Sequence, residues 1–278
     1  MKKFLALLSC AVLVAATAVG CGSQNEKITV VSREDGSGTR SAFSELMGVV
    51  KDDKDNTTDT AEVTNSTSVM LTTVAGNQAA IGYVSLGSLN DTVKAVKVDG
   101  VEATAENVKA GKYAVSRPFN IVTGKDLTPL AQDFISYILS TDGQAVVDEK
   151  GYISVTQGEA YKASGQTGTL TIAGSTSVAP LMEVLADKYM ALNSGVKIEI
   201  QQSGSSAGIT SAVEGVCQIG MASRELKDSE TAKGVTAIKI AMDGIAVIVN
   251  KDNSFSELTS DQIRKIYTGE TTQWSDLK

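Results

Sequence analysis

The chain has 278 residues, 42% of them hydrophobic, and only three prolines, enough to bury the core of one large domain or two smaller ones. Its formal charge of −7 and isoelectric point near 4.8 exclude nucleic acid or an anionic membrane surface as the main partner, because no basic excess offsets the acidic total. Histidine is absent, which removes Ser-His-Asp and Cys-His catalysis together with the commonest zinc ligand and weakens every hydrolase reading.

Lys2 and Lys3 precede an apolar run from Phe4 to Val19, followed by Gly20, Cys21 and the polar GSQNEK. Residues 1–20 therefore read as an export signal: the run is short for a membrane span and ends at a small-residue site. The AVGC at the cut resembles a lipoprotein box, with Ala18 where leucine is commoner, so Cys21 is expected to become the lipid-carrying N-terminus. Cys10 leaves with the leader, Cys217 alone remains free, and no intrachain disulfide is expected.

Beyond the leader, β-branched runs alternate with helical patterns. In chain order these are KITVV, RSAFSELMGVV, AAIGYVSL, PFNIVTG, PLAQDFISYILS, TLTIAG, VAPLMEVLADKYMAL, VKIEIQQ, ITSAVEGV, QIGMAS and IAVIVN. Such alternation predicts α/β layers. KDDKDNTTDT, residues 51–60, reads as a solvated loop, and the small, polar TQGEAYKASGQTG, residues 156–168, as a linker.

Three segments share one design, in which glycine and small hydroxyl residues run straight into an amphipathic helix: DGSGTRSAF from Asp35, AGSTSVAPLMEVL from Ala173 and QSGSSAGITSAV from Gln202. A helix start leaves about four N–H groups without internal partners and carries roughly half a positive charge, so it attracts oxyanions. Each segment alone fits an ordinary Ser/Thr cap after a turn. Three in one chain point to a small anion, and the missing GxxxxGK[ST] loop argues against a nucleoside triphosphate.

With AIGYVSLG, SRPFNIVTG and DGIAVIVN, these segments resemble the phosphate-binding protein of bacterial high-affinity phosphate ABC transporters over nearly the whole mature chain. The resemblance implies an α/β fold of the periplasmic-binding-protein type II kind, two lobes with the ligand in the cleft between them. Family members begin near AGSTSVAP and reach DGSGT at mid-chain, whereas here the mid-chain loop comes first, so the order reads as circularly permuted. Tail and head are then expected to meet, TTQWSDLK leading back to KITVV, and 156–168 joins the family's two usual ends. A recombined gene copy is the alternative. One lobe is expected to be continuous over residues 116–244, the other to combine 27–115 with 245–278, and PFNIV and IAVIVN to act as hinge strands.

Carried over residue by residue, the resemblance implies ligand contacts from Thr176, Ser177, Ser205, Arg33, Ser37, Gly38 and Thr39. Arg33 would give a forked contact, the hydroxyls single hydrogen bonds, and the Gly38 and Thr39 amides a helix start. Asp35 is expected to hold Arg33, and Arg40 to be a solvated helix residue. The family often has a carboxylate that accepts the proton of hydrogen phosphate and so rejects sulfate. Here that place falls on Ser223, beside Arg224, which makes Asp243 a candidate acceptor, though it also fits a turn aspartate before Gly244. The implied partners are inorganic phosphate, an ABC permease with its ATPase, and the membrane through the lipid on Cys21, with a monomer and no nucleic acid or cofactor. Sulfate or molybdate would use the same physics, and a phosphatase would need a metal or an activated nucleophile that the sequence does not offer.

Overall fold

The computed structural model describes residues 27–277; the expected export signal and Cys21 lie outside them. Nine strands form one sheet. In chain order they are β1 (Thr29–Arg33), β2 (Glu62–Thr64), β3 (Ala80–Ser85), β4 (Val93–Ala95), β5 (Ser116–Thr123), β6 (Gly168–Gly174), β7 (Val196–Gln202), β8 (Ile219–Ala222) and β9 (Thr236–Asn250). The longer helices are α1 (Gly38–Leu46), α2 (Thr67–Ala75), α3 (Pro129–Leu139), α4 (Thr141–Glu149), α5 (Ala179–Leu192), α6 (Ser205–Val213) and α7 (Ser260–Tyr267). Among the described residues, no helix is long and apolar enough to cross a membrane.

The strand order is β7-β6-β8-β5-β9-β3-β1-β2, with β4 beside the far end of β9. Strand β9 holds the molecule together. Its first part pairs antiparallel with β5 as far as Gly244 opposite Ser116, and from Ile245 opposite Ser85 it pairs with β3. The side chains pack accordingly in two halves. Phe119, Phe134, Leu170, Leu185 and Ile240 share one core, and Val30, Phe43, Tyr83, Val247 and Ile266 another. Every residue of β3 and the last eight of β9 are buried, as expected for strands covered on both faces.

Caps explain where the helices start. Ser37, Ser66, Thr128 and Ser140 each accept a hydrogen bond from an N–H in the first turn of α1, α2, α3 and α4, and Pro129 occupies the first turn of α3, where its missing N–H costs nothing. Thr259 and Gln262 form a reciprocal capping box on α7. The expectation of a plain loop over 51–60 gives way to a hairpin, Val50–Lys51 against Lys54–Asp55, turned by Asp52 and Asp53 at φ 52° and 58°. Aspartate tolerates that left-handed backbone better than most residues.

Residues 154–167 have no regular structure, but they are fastened down. The Tyr161 hydroxyl donates to Asp133 at 2.6 Å, its amide donates to Asp142, and Glu159 accepts from the Thr141 amide. At the other junction, Lys27 bridges Gln273 in antiparallel fashion and the Ile28 amide donates to the Thr272 carbonyl at 2.8 Å. The first and last described segments are therefore neighbours.

Candidate functional site

Four helices start where strands end: α1 after β1, α2 after β2, α5 after β6 and α6 after β7. In an open α/β sheet, the carboxyl ends of strands flanking a change in strand order are where ligands gather. Backbone constraints fix these turns. Gly174 ends β6 at φ 139°, and a Cβ there would lie 2.3 Å from the Met221 carbonyl oxygen; Gly36 turns the chain at φ 85°.

The four starts meet on a buried seam between the halves. Arg33 Nη2 donates to Thr176 Oγ1 at 3.1 Å, and Thr39 Oγ1 lies 2.8 Å from Ser177 Oγ. Thr67 Oγ1 lies 3.1 Å from Ser177 Oγ and 3.3 Å from Thr176 Oγ1. The Ser206 amide donates to the Gly36 carbonyl at 3.1 Å. Gly38 is required by proximity, since a Cβ would stand 2.4 Å from Ser205 Oγ and 2.7 Å from Ser223 Oγ. On the other side, Ser175 Oγ donates to Ser223 Oγ at 2.9 Å, and the Ser223 amide donates to Ser205 Oγ at 3.1 Å. Apart from Ser206, which is half-buried, all of these hydroxyl residues are buried.

The seam thus brings together Arg33, Gly38, Thr39, Thr176, Ser177, Ser205 and Ser223, while Ser37, buried at the start of α1, has its hydroxyl taken up by the Arg40 amide. Thr67 was not anticipated. Its segment, NSTSVMLTTVA, carries the same signal, a serine cap and a hydroxyl at a helix start, but without the glycine that marks the other three. Asp243 stands elsewhere, at the point where β9 changes partner. Its Oδ1 accepts from Ser85 Oγ at 2.9 Å, and its Oδ2 accepts from Arg117 Nη2 at 3.2 Å and Nε at 3.3 Å. Burial pushes its carboxyl up to about 6, against the opposing pull of Arg117 and Ser85.

The expectation that Asp35 holds Arg33 is corrected. Glu34 does so, its two oxygens each 2.7 Å from Nε and Nη2, while Asp35 projects into solvent and pairs with Arg40. One additional methylene lets Glu34 fold back along the guanidinium plane. Arg40 is bound up as well, donating to Asp55 and to the Arg33 carbonyl. Burial raises the Asp55 carboxyl, yet hydrogen bonds from Thr57 and Arg40 outweigh it and hold the group below its ordinary range.

Behind the seam, the Tyr83 hydroxyl accepts the Arg33 amide at 3.1 Å and meets Ser32 Oγ at 3.0 Å. Its ring stacks on Phe43 of α1, with centroids 4.0 Å apart, and this fixes β1 against α1. Burial pushes the Tyr83 hydroxyl up to about 12. Arg224 forks onto Glu230 and reaches Ser206 Oγ at 3.1 Å. Among the described residues no cluster of three or more His, Cys, Asp or Glu is placed to hold a metal. What the seam offers is hydroxyls, helix-start amides and one guanidinium, groups that solvate an oxyanion.

Comparison with known proteins agrees with this chemistry. A family profile described as PBP superfamily domain matches residues 20–142 and 160–278. The phosphate-binding protein PstS 2 of Streptococcus agalactiae serotype V is 52% identical over 288 residues, covering 99% of this chain and 98% of its own. PstS 2 of Streptococcus pneumoniae serotype 4 is 45% identical, covering 94% of each. A crystal structure of a phosphate-binding protein of a phosphate ABC transporter from Streptococcus pneumoniae TIGR4 superimposes with a TM-score of 0.73 at 46% identity, over 91% of this chain and 100% of that one. A periplasmic-binding-protein-like α/β fold, a hydroxyl-lined seam at the strand ends and near-complete relatives agree: the chain belongs to the PBP superfamily and, within it, to the PstS phosphate-binding proteins.

Proposed function

We propose that this protein captures inorganic phosphate outside the cytoplasmic membrane and delivers it to an ABC permease and its ATPase, making and breaking no covalent bond. The observation that carries the reading is the convergence of four helix starts, their hydroxyls and the Arg33 guanidinium on one buried seam. Arg33 gives charge-assisted contacts, Ser37, Thr39, Thr176, Ser205 and Ser223 give hydroxyl hydrogen bonds, and the amides of Gly38, Thr39 and Ser177 complete the shell. The two halves act as lobes that close on the ligand about β5 and β9. Cys21, once acylated, tethers a monomer to the outer face of the membrane.

The order of segments is a circular permutation of the arrangement that the sequence resemblance implies for the wider family. Two facts favour this over a recombined gene copy. The first and last described segments pair through Lys27 and Gln273, and a relative aligns over 99% of the chain in one continuous comparison, so it shares the order.

Isothermal titration of the protein lacking residues 1–20 tests the reading. Heat released by phosphate and not displaced by sulfate or molybdate is expected. Preference for either of those anions, or liberation of phosphate from a phosphoester by the pure protein, would overturn it.

A further inference from the structure

Arg117 and Asp243 face each other in the β5–β9 register, at the step before β9 changes partner. Both are buried, and Asp243 is 0% exposed. Asp243 accepts from Ser85 at the end of β3, in one half, and from two nitrogens of Arg117, in the other. The third nitrogen of that guanidinium, Nη1, donates to the Ser223 carbonyl at 2.9 Å. Ser223 is the residue whose amide and hydroxyl touch Ser205 and Ser175 on the seam. One rigid, planar group therefore runs from the crossing point of the sheet to the backbone of the oxyanion seat.

We propose that Arg117 is a positioning residue that couples the ionisation of Asp243, at the crossing between the halves, to the placement of Ser223 in the seat. The inference rests on the phosphate reading above. With Asp243 ionised, two charge-assisted bonds hold the guanidinium in one plane and point Nη1 at the Ser223 carbonyl. Once Asp243 is protonated, those bonds become neutral acceptor contacts, Arg117 is no longer held in plane, and Ser223 loses its fixed position.

The groups facing this pair are few. Tyr152 packs beside it from the loop after α4, its hydroxyl buried without a hydrogen-bond partner. Tyr113 donates to the Ile245 carbonyl at 2.8 Å, and Arg33 is the next cation. Burial raises both tyrosine hydroxyls above their ordinary value, which leaves Asp243, pushed up to about 6 by burial, as the group of this cluster that changes charge in mildly acidic medium.

The test is phosphate titration calorimetry on wild type and Asp243→Asn at pH 7.5 and pH 5, with both proteins compared at each pH so that ligand ionisation cancels. The variant is expected to bind about tenfold more weakly, or worse, at pH 7.5 and to match wild type within about twofold at pH 5. Ser85→Ala, which removes one donor to the carboxylate, keeps the inference open to refutation should Asp243→Asn fold poorly. Its affinity should fall off at a higher pH than that of wild type. A variant-to-wild-type ratio that is unity at pH 7.5, or that is the same at both pH values, overturns the coupling while leaving phosphate binding standing. Wild type that takes up no phosphate at pH 7.5 overturns the phosphate reading and the coupling with it.

Discussion

Two arginine–carboxylate pairs flank the seam, and they are built for different work. Arg33 and Glu34 are sequence neighbours; the carboxylate side chain is 26% exposed, and Arg33 still reaches a hydroxyl of the opposite half. Arg117 and Asp243 are 126 residues apart, meet only through sheet register, and have side chains 2% and 0% exposed. In the first pair Arg33 is as sealed as Arg117, its side chain 3% exposed, and only the Glu34 carboxylate meets water, so the pairing is partly screened from the carboxylate side. The second is sealed, so each charge depends on the other. Balanced charge at the seam and at the crossing point thus leaves one guanidinium reaching across to a hydroxyl of the other half, as the proposed ligand contact requires, and makes a structural joint of the other.

Breaking the sealed pair should have the largest effect. Arg117→Ala leaves a buried carboxylate without its cation and is expected to cost about 3–5 kcal/mol of stability at pH 7.5, read from urea denaturation. Glu34→Gln leaves an amide oxygen for Arg33 to donate to, at a carboxylate position that still meets water, and should cost less than Arg117→Ala under the same conditions. Equal losses would erase the distinction between the pairs.

The pH dependence of folding comes next. The Asp243 carboxyl is raised in the folded protein to about 6 from an ordinary 3.8, so its favourable contribution is complete below about pH 4 and is lost as pH rises through 6, amounting to about 3 kcal/mol. Wild type measured against Asp243→Asn should show that loss between pH 4 and 7. A difference that is flat with pH would mean that Asp243 is not the titrating group.

At the seat, Arg33→Lys keeps the charge but loses the fork and should weaken phosphate by about 1.5–3 kcal/mol in calorimetry, with little change in melting temperature. An unchanged dissociation constant would remove Arg33 from the ligand shell. The smallest effect is expected from Thr67→Val, which deletes one hydroxyl facing Thr176 and Ser177 and should weaken phosphate by about 0.5–1.5 kcal/mol. Affinity equal to wild type would confine Thr67 to packing.

The same contrast explains what the sequence could reveal. The α/β class and three of the four helix starts were legible because their glycines and hydroxyls fall in short windows that local rules govern, Gly36, Gly174 and Gly204 among them. Helix α2 escaped notice because NST lacks such a glycine, and α4 because TDGQAVVDE has little apolar periodicity. Choosing Glu34 over Asp35 for Arg33 needs the direction of a turn, which two adjacent carboxylates do not disclose. Pairing Arg117 with Asp243 needs the register of strands more than a hundred residues apart, and no local pattern encodes it. Asp243 stood out on its own as a carboxylate; its partner did not.

The path of β9 also has a consequence during synthesis and export. Ile245, Val247 and Val249 fill the same core as Ile28, Val30 and Phe43, alongside Leu258, Ile263 and Trp274. The half containing Phe119 to Ile240 has all its own core residues once that stretch has emerged. The earliest strands to leave the ribosome or the translocon can pair with one another, β1 with β2 and β3, but their shared core stays open on the side of β9 and α7 until the last part of the chain arrives, after the middle of the polypeptide has all its own core residues.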